Sequence, residues 1–224
     1  MAITMERESM NVMATVHRAL SLTGCALMVA TVASAQVQQT TGGWRIGAST
    51  GGYVPHSALI RAADSNDTRL GSGPAFSFDV QYLASGLISV YAGGVLGFGT
   101  ISLGSSIRPT VVGPSTHVMV TAGTAGVLLA PTGWLGSHIQ PTLRLGGGFK
   151  WYAFDLAETR NQVRPTLDIG LGFRGVGSGP IEVTAEVRYL MSSFDQARLP
   201  TRGIAPQAQR QNDLVFSVGF AIRP

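Results

Sequence analysis

Of 224 residues, one is cysteine (Cys25) and one is lysine (Lys150). Charged residues make up 12% of the chain. A soluble exported domain needs a larger charged fraction, with both signs interspersed over its surface. No long apolar run follows residue 32, which excludes a bundle of membrane-spanning helices. Mean hydropathy is nonetheless positive. The apolar residues are therefore spread through short segments, as in a barrel of strands. The net charge of +4 lies on scattered arginines and forms no basic stripe, so nucleic acid is not an expected partner.

The first 35 residues read as an export signal, leaving a barrel domain over 36–224. Arg7, His17 and Arg18 form a basic start, diluted by Glu6 and Glu8. Initiation at Met10 or Met13 would remove those acids. Ala19 to Val32 is the apolar stretch, and Ala33-Ser34-Ala35 is a small-x-small cleavage site before Gln36. Leu22-Thr23-Gly24-Cys25 also matches a lipobox, which would make Cys25 a lipidated N-terminus. The apolar stretch continues past Cys25, whereas a lipobox closes it. With Cys25 removed, disulfides, thiolate nucleophiles and cysteine metal sites are excluded together.

Eight segments then alternate with period two, separated by turn residues. They run Trp44 to Val54, Pro74 to Leu83, Leu87 to Phe98, His117 to Leu129, Ile139 to Ala153, Arg164 to Arg174, Ile181 to Met191, and Leu214 to Ile222. In the second, Phe76, Phe78, Val80 and Tyr82 alternate with Ser77, Asp79 and Gln81. The fourth does not reveal its faces. Short connections (Ala84-Ser85-Gly86, Ala130 to Gly136, Gly175 to Gly179) alternate with long ones (Pro55 to Gly73, Gly99 to Thr116, Phe154 to Val163, Ser192 to Asn212). That alternation is expected of an up-and-down transmembrane barrel with short periplasmic turns and long outer loops. A Greek-key sandwich gives no reason for it.

Period two alone does not say which face is inside. A soluble lipocalin-like barrel alternates too, with its apolar face inward. Three features favour the inverted arrangement. The polar face carries Gly47, Gly93, Gly97, Gly146, Gly148, Gly170, Gly172 and Gly219, which make room in a narrow lumen. It also carries charges of both signs: Arg45, Arg144, Lys150, Arg174 and Arg188 against Asp79, Asp168, Glu182 and Glu186. Paired charges are tolerable in a closed lumen and unpaired ones are costly. Finally, Trp44, Tyr82, Trp134, Trp151, Tyr189 and Phe220 fall near segment ends, where a membrane barrel places aromatic girdles.

The eight segments and the terminal Phe216-Ser217-Val218-Gly219-Phe220 resemble the small eight-stranded outer-membrane proteins, the OmpA-like and OmpX-like barrels. The resemblance covers Gly42 to the C-terminus and rests on architecture. It implies an all-β, eight-stranded antiparallel up-and-down barrel, monomeric, in contact with outer-membrane lipid and lipopolysaccharide. It also implies insertion by the outer-membrane machinery through the C-terminal strand. That strand usually ends in an aromatic residue, whereas here Ile222-Arg223-Pro224 follows Phe220.

Chemistry has few candidates. Acyl-transfer chemistry needs a nucleophile, a base and an orienter within reach. Among His56, His117 and His138, His117 is the one near hydroxyls (Ser115, Thr116) at an outer rim, and it is a weak catalytic candidate. The His-x-Ser pattern of lipid A deacylases is absent, since Val118-Met119 follows. Asp64, Asn66 and Asp67 lack the spacing of a calcium loop. No cofactor, no metal and no enzymatic activity are expected. The alternatives are an OmpW-like barrel passing small molecules, a lipid A-modifying enzyme, and a soluble periplasmic ligand-binding barrel.

Overall fold

The computed structural model describes residues 42–60, 67–102, 117–131, 138–154, 161–175, 179–195 and 208–223. The signal segment lies outside the described residues. Ten strands are present among these: β1 (Trp44–Pro55), β2 (Ala58–Ile60), β3 (Thr68–Leu70), β4 (Gly73–Leu83), β5 (Ile88–Ser102), β6 (His117–Leu129), β7 (Ile139–Phe154), β8 (Gln162–Gly175), β9 (Ile181–Asp195) and β10 (Ala208–Ile222). Eight of them pair antiparallel in the order β5-β4-β1-β10-β9-β8-β7-β6, and β5 pairs with β6 to close the barrel. Strands β2 and β3 form a small hairpin that adds to the far end of β5 through Leu70↔Ile101.

Closure is staggered. A path of paired residues runs from Val54 through Leu214, Tyr189, Ile169, Leu145, Val127, Val90 and Tyr82 to Trp44. It returns to β1 ten residues below its start, so the strands are tilted. The stagger is even, so the path stays on one face throughout. Every residue along it is apolar or aromatic.

That face is the outside. Phe76, Phe78, Val80, Leu145, Phe149, Leu171, Val218 and Phe220 project outward and are exposed, Leu171 and Phe149 at 65%. Asp79, Arg144, Asp168 and Arg188 point inward, on the opposite face. In β6 the inward residues are Val118, Val120, Ala122 and Thr124, which resolves the segment whose sequence left its faces open.

Glycine acts at close approaches inside. A Cβ at Gly97 would lie 2.9 Å from Cγ of Tyr53, and one at Gly146 would lie 2.9 Å from Cζ of Tyr91. Both tyrosine rings fill interior space that a larger residue would block. The turn between β4 and β5 is set by Ser85. Its hydroxyl accepts a hydrogen bond from the Ile88 amide at 3.1 Å, while the Ser85 amide donates to the Ile88 carbonyl at 3.0 Å.

Two sequence expectations need correction. Met191 does not end its strand and Leu214 does not begin the last one. Strand β9 continues to Asp195 and β10 starts at Ala208. Fifteen residue pairs join β9 to β10 regardless of side-chain polarity, so polar residues here do not mark a loop (Ser192↔Gln211 and Asn212↔Met191 are paired). Nor is the interior uniformly polar. Its outer half is an apolar cluster of Tyr53, Leu59, Leu70, Ala75, Val95, Ile101, Val118, Val120, Ala122, Tyr152, Leu190, Phe194 and Val215. Leu59 and Leu70 come from the β2–β3 hairpin, so the first long connection folds into this end of the barrel.

Candidate functional site

The other half of the interior is built from charge. Alternation along each strand delivers one inward residue per two, and tilt brings residues of distant strands to one level. Nearest the end with the short turns (the turn end), Glu182 meets three arginines. Nε of Arg45 and Nε of Arg174 each lie 3.3 Å from its Oε2, and Arg223 contacts its Oε1. Arg174 also donates to Oε1 of Gln81 at 2.9 Å, and Nε2 of Gln81 donates to Asp79.

One level further in, Arg144 donates to Oε1 of Glu186 at 2.7 Å and lies 3.9 Å from Asp79. Its guanidinium also sits 4.1 Å from the centre of the Tyr91 ring, a cation–π contact. The next level is a saturated carboxylate. Asp168 accepts from Arg188, from the Tyr91 hydroxyl at 3.0 Å and from the Thr124 hydroxyl at 2.8 Å. Arg188 donates a second bond to Thr124 at 3.0 Å. Above that, Lys150 pairs with Asp213, which also accepts from Gln211 at 2.8 Å. The aromatic roof follows: Tyr152 and Phe154 stack in parallel and Phe194 packs edge-on against both, with ring centres 5.4–6.2 Å apart.

All nine charged residues singled out in the sequence therefore line one interior. Asp213 completes the set and was missed there. It gives Lys150 a partner and brings this set of charges to five of each sign. The signal was available: Asp213 shares parity with Val215, Ser217 and Gly219 on the inward face of β10. Gln81, Tyr91 and Thr124 were also missed as linkers. Neutral side chains carry no charge pattern, and only the fold shows that they touch acids 2 to 77 residues away.

The aromatic residues divide. Trp44 and Tyr82 pack together at the turn end, with ring centres 5.0 Å apart, and Phe220 is exposed on the same end. Trp151 is exposed toward the loop end. Tyr189 lies well inside β9, because that strand continues past Met191. Trp134 lies outside the described residues. Phe76 and Phe98 form a loop-end pair with centres 6.4 Å apart, which the sequence alone did not single out.

His117 begins β6 on the exposed face. With Phe98, Met119, Ala153, Phe154 and Asn161 it borders an open surface hollow of about 300 Å³. Its proposed hydroxyl neighbours, Ser115 and Thr116, lie outside the described residues. Asp67 pairs with Arg69 at 2.9 Å, and Asp64 and Asn66 lie outside the described residues. Among the described residues no group of three metal-ligating side chains is present.

The closed eight-stranded antiparallel barrel is a form also found in solved structures. Neisserial surface protein A superposes with a TM-score of 0.57, at 13% identity, covering 83% of this chain and 100% of that one. The outer membrane protein OprG from Pseudomonas aeruginosa superposes with a TM-score of 0.54, at 15% identity, covering 83% of this chain and 97% of that one. This chain has the small outer-membrane β-barrel fold. No family model matches the sequence, and no curated protein matches it. The kinship is therefore one of architecture.

Proposed function

We propose that this chain is an outer-membrane barrel with a sealed interior, serving the envelope structurally or through contacts made by its long loops. The observation that carries this reading is the pairing of an exposed apolar outer face with buried charges. Among the described residues, twenty-six large apolar side chains stand exposed around the barrel. In water such a surface would aggregate, and in a bilayer it is solvated by acyl tails. The interior supports the sealed reading. Ion pairs fill the turn-end half, and aromatic and aliphatic side chains fill the loop-end half. The polar cavity between Ser77, Asp79, Arg144 and Glu186 has room for one or two waters, at about 30 Å³.

The reading is non-enzymatic. Each carboxylate in the interior ion pairs faces a cation, so none of these is placed as a general base, and His117 stands on the exposed face of β6. An N-terminal export signal and contact with lipid and lipopolysaccharide belong to the same proposal.

The test has two parts. Folded protein in detergent should migrate faster than boiled protein on a denaturing gel and should fractionate with outer membranes. Reconstituted in planar bilayers, it should show no steady conductance. A stable open channel would favour passage of small molecules, and recovery from a detergent-free periplasmic extract would return the soluble alternative.

A further inference from the structure

The charges of the interior balance in number but not in place. The inward residues nearest the turn end are Arg45, Leu83, Ser89, Ala130, Gln140, Arg174, Glu182 and Ala221, one from each strand or its immediate extension. Arg223 adds a third guanidinium at the rim. Its backbone amide donates to the Pro180 carbonyl at 2.9 Å, which holds Arg223 beside Glu182. One carboxylate thus serves three guanidinium groups. The neutral polar side chains at this level, Ser89 and Gln140, bring no charge, nor does Gln81 one step further in.

Glu182 does not satisfy them all. Arg45 and Arg174 approach the same oxygen from 3.3 Å, and neither Nε makes a well-aligned hydrogen bond to it. Both side chains are almost fully buried, so water screens their mutual repulsion poorly. The next acid inward, Asp79, reaches Arg174 through Gln81 and is also shared with Arg144. Among the described residues, three guanidinium groups on one carboxylate leave a local excess of positive charge, which is costly unless a further anion joins it. Arg223, 40% exposed at the rim, leaves the cluster open on one side.

We infer that the turn end of the barrel is an anion site, taking a phosphate-type oxyanion on Arg223 with Arg45 and Arg174 behind it. The planar guanidinium presents paired N–H donors that match phosphate oxygens. Bound there, the anion takes up the charge that Glu182 leaves uncompensated. Two sources have this chemistry: a free phosphate and the headgroup of an anionic phospholipid.

The experiment uses the full folded chain. In zwitterionic detergent, inorganic phosphate is titrated against chloride at matched ionic strength. The readout is the temperature at which the fast-migrating folded form converts to the slow one. Phosphate should raise it where chloride does not, and R223Q should abolish the difference. E182Q removes the competing internal carboxylate and should tighten phosphate binding at least tenfold, read by ³¹P line broadening. If E182Q does not fold, the R223Q comparison decides. Equal responses to phosphate and chloride, or an undiminished phosphate response in R223Q, overturn the inference. A second arm uses nanodiscs of mixed phosphatidylglycerol and phosphatidylcholine, with retained lipid read by mass spectrometry. Enrichment of phosphatidylglycerol that is lost in R223Q assigns the lipid source. Equal retention, with the phosphate response intact, assigns the free anion. The detergent arm does not depend on where the protein resides, so it fails or succeeds independently of the membrane reading.

Discussion

Lys150 and Asp213 form an ion pair in which neither side chain reaches solvent, on neighbouring levels to an aromatic roof of Tyr152 and Phe194. It joins the only lysine of the chain to an acid on the last strand.

Breaking this pair leaves one buried charge alone. K150M or D213L should each destabilise the barrel by roughly 3–5 kcal/mol, and the double variant should recover most of the loss. Urea unfolding of the three variants, followed by tryptophan fluorescence, checks this. Equal losses in single and double variants would count against the pairing. The same lysine offers a chemical check: an amine-reactive reagent should modify Lys150 only after unfolding.

Gly97 and Tyr53 occupy one space. G97A should cost about 1–3 kcal/mol by overpacking against the ring. In a Y53A background the added cost of G97A should vanish. A double-mutant cycle measures the coupling, and additive effects would show that the clash is relieved elsewhere.

Outward polarity should matter only in a bilayer. L145R places a cation on the exposed face of β7. At mid-bilayer depth it should cost about 2–4 kcal/mol. Folding titrations of wild type and variant into phospholipid vesicles give the difference. A variant as stable as wild type would remove the support for the membrane reading.

The roof should be a packing element and not the sole seal. F194A should lose about 3–5 kcal/mol through the cavity left beside Tyr152. Because the charged levels lie beneath it, bilayer recordings of F194A should still show no steady conductance. A newly open channel would mean that the apolar half alone closes the barrel.

Much of this was legible in the chain. Phe76, Phe78 and Val80 alternating with Ser77 and Asp79 gave a strand with two unlike faces, and the same pattern recurred around the barrel. Lys150, Asp168 and Arg188 could be placed on one side of their strands by counting in twos. Strand ends were less legible. Ser192 and Asn212 look like loop residues, yet they extend β9 and β10 because backbone pairing is indifferent to side-chain polarity. Missing that extension hid Asp213 and misplaced Tyr189 relative to the end of its strand. The apolar half of the interior was hidden for another reason. On β6 both faces carry small or apolar residues, so the sequence did not say which way Val118, Val120 and Ala122 point; the closed barrel turns them inward.

By itself the sequence determined the period, the near-absence of lysine and cysteine, the number of barrel strands and the two chemistries of their faces. These are local properties, fixed by composition and by the side-to-side alternation of an extended backbone. Tertiary structure decided the rest: which acid each arginine meets, how Leu59 and Leu70 enter the loop end, and why three guanidinium groups gather on Glu182. Those outcomes depend on the stagger between strands, a relation among distant segments that no single segment encodes.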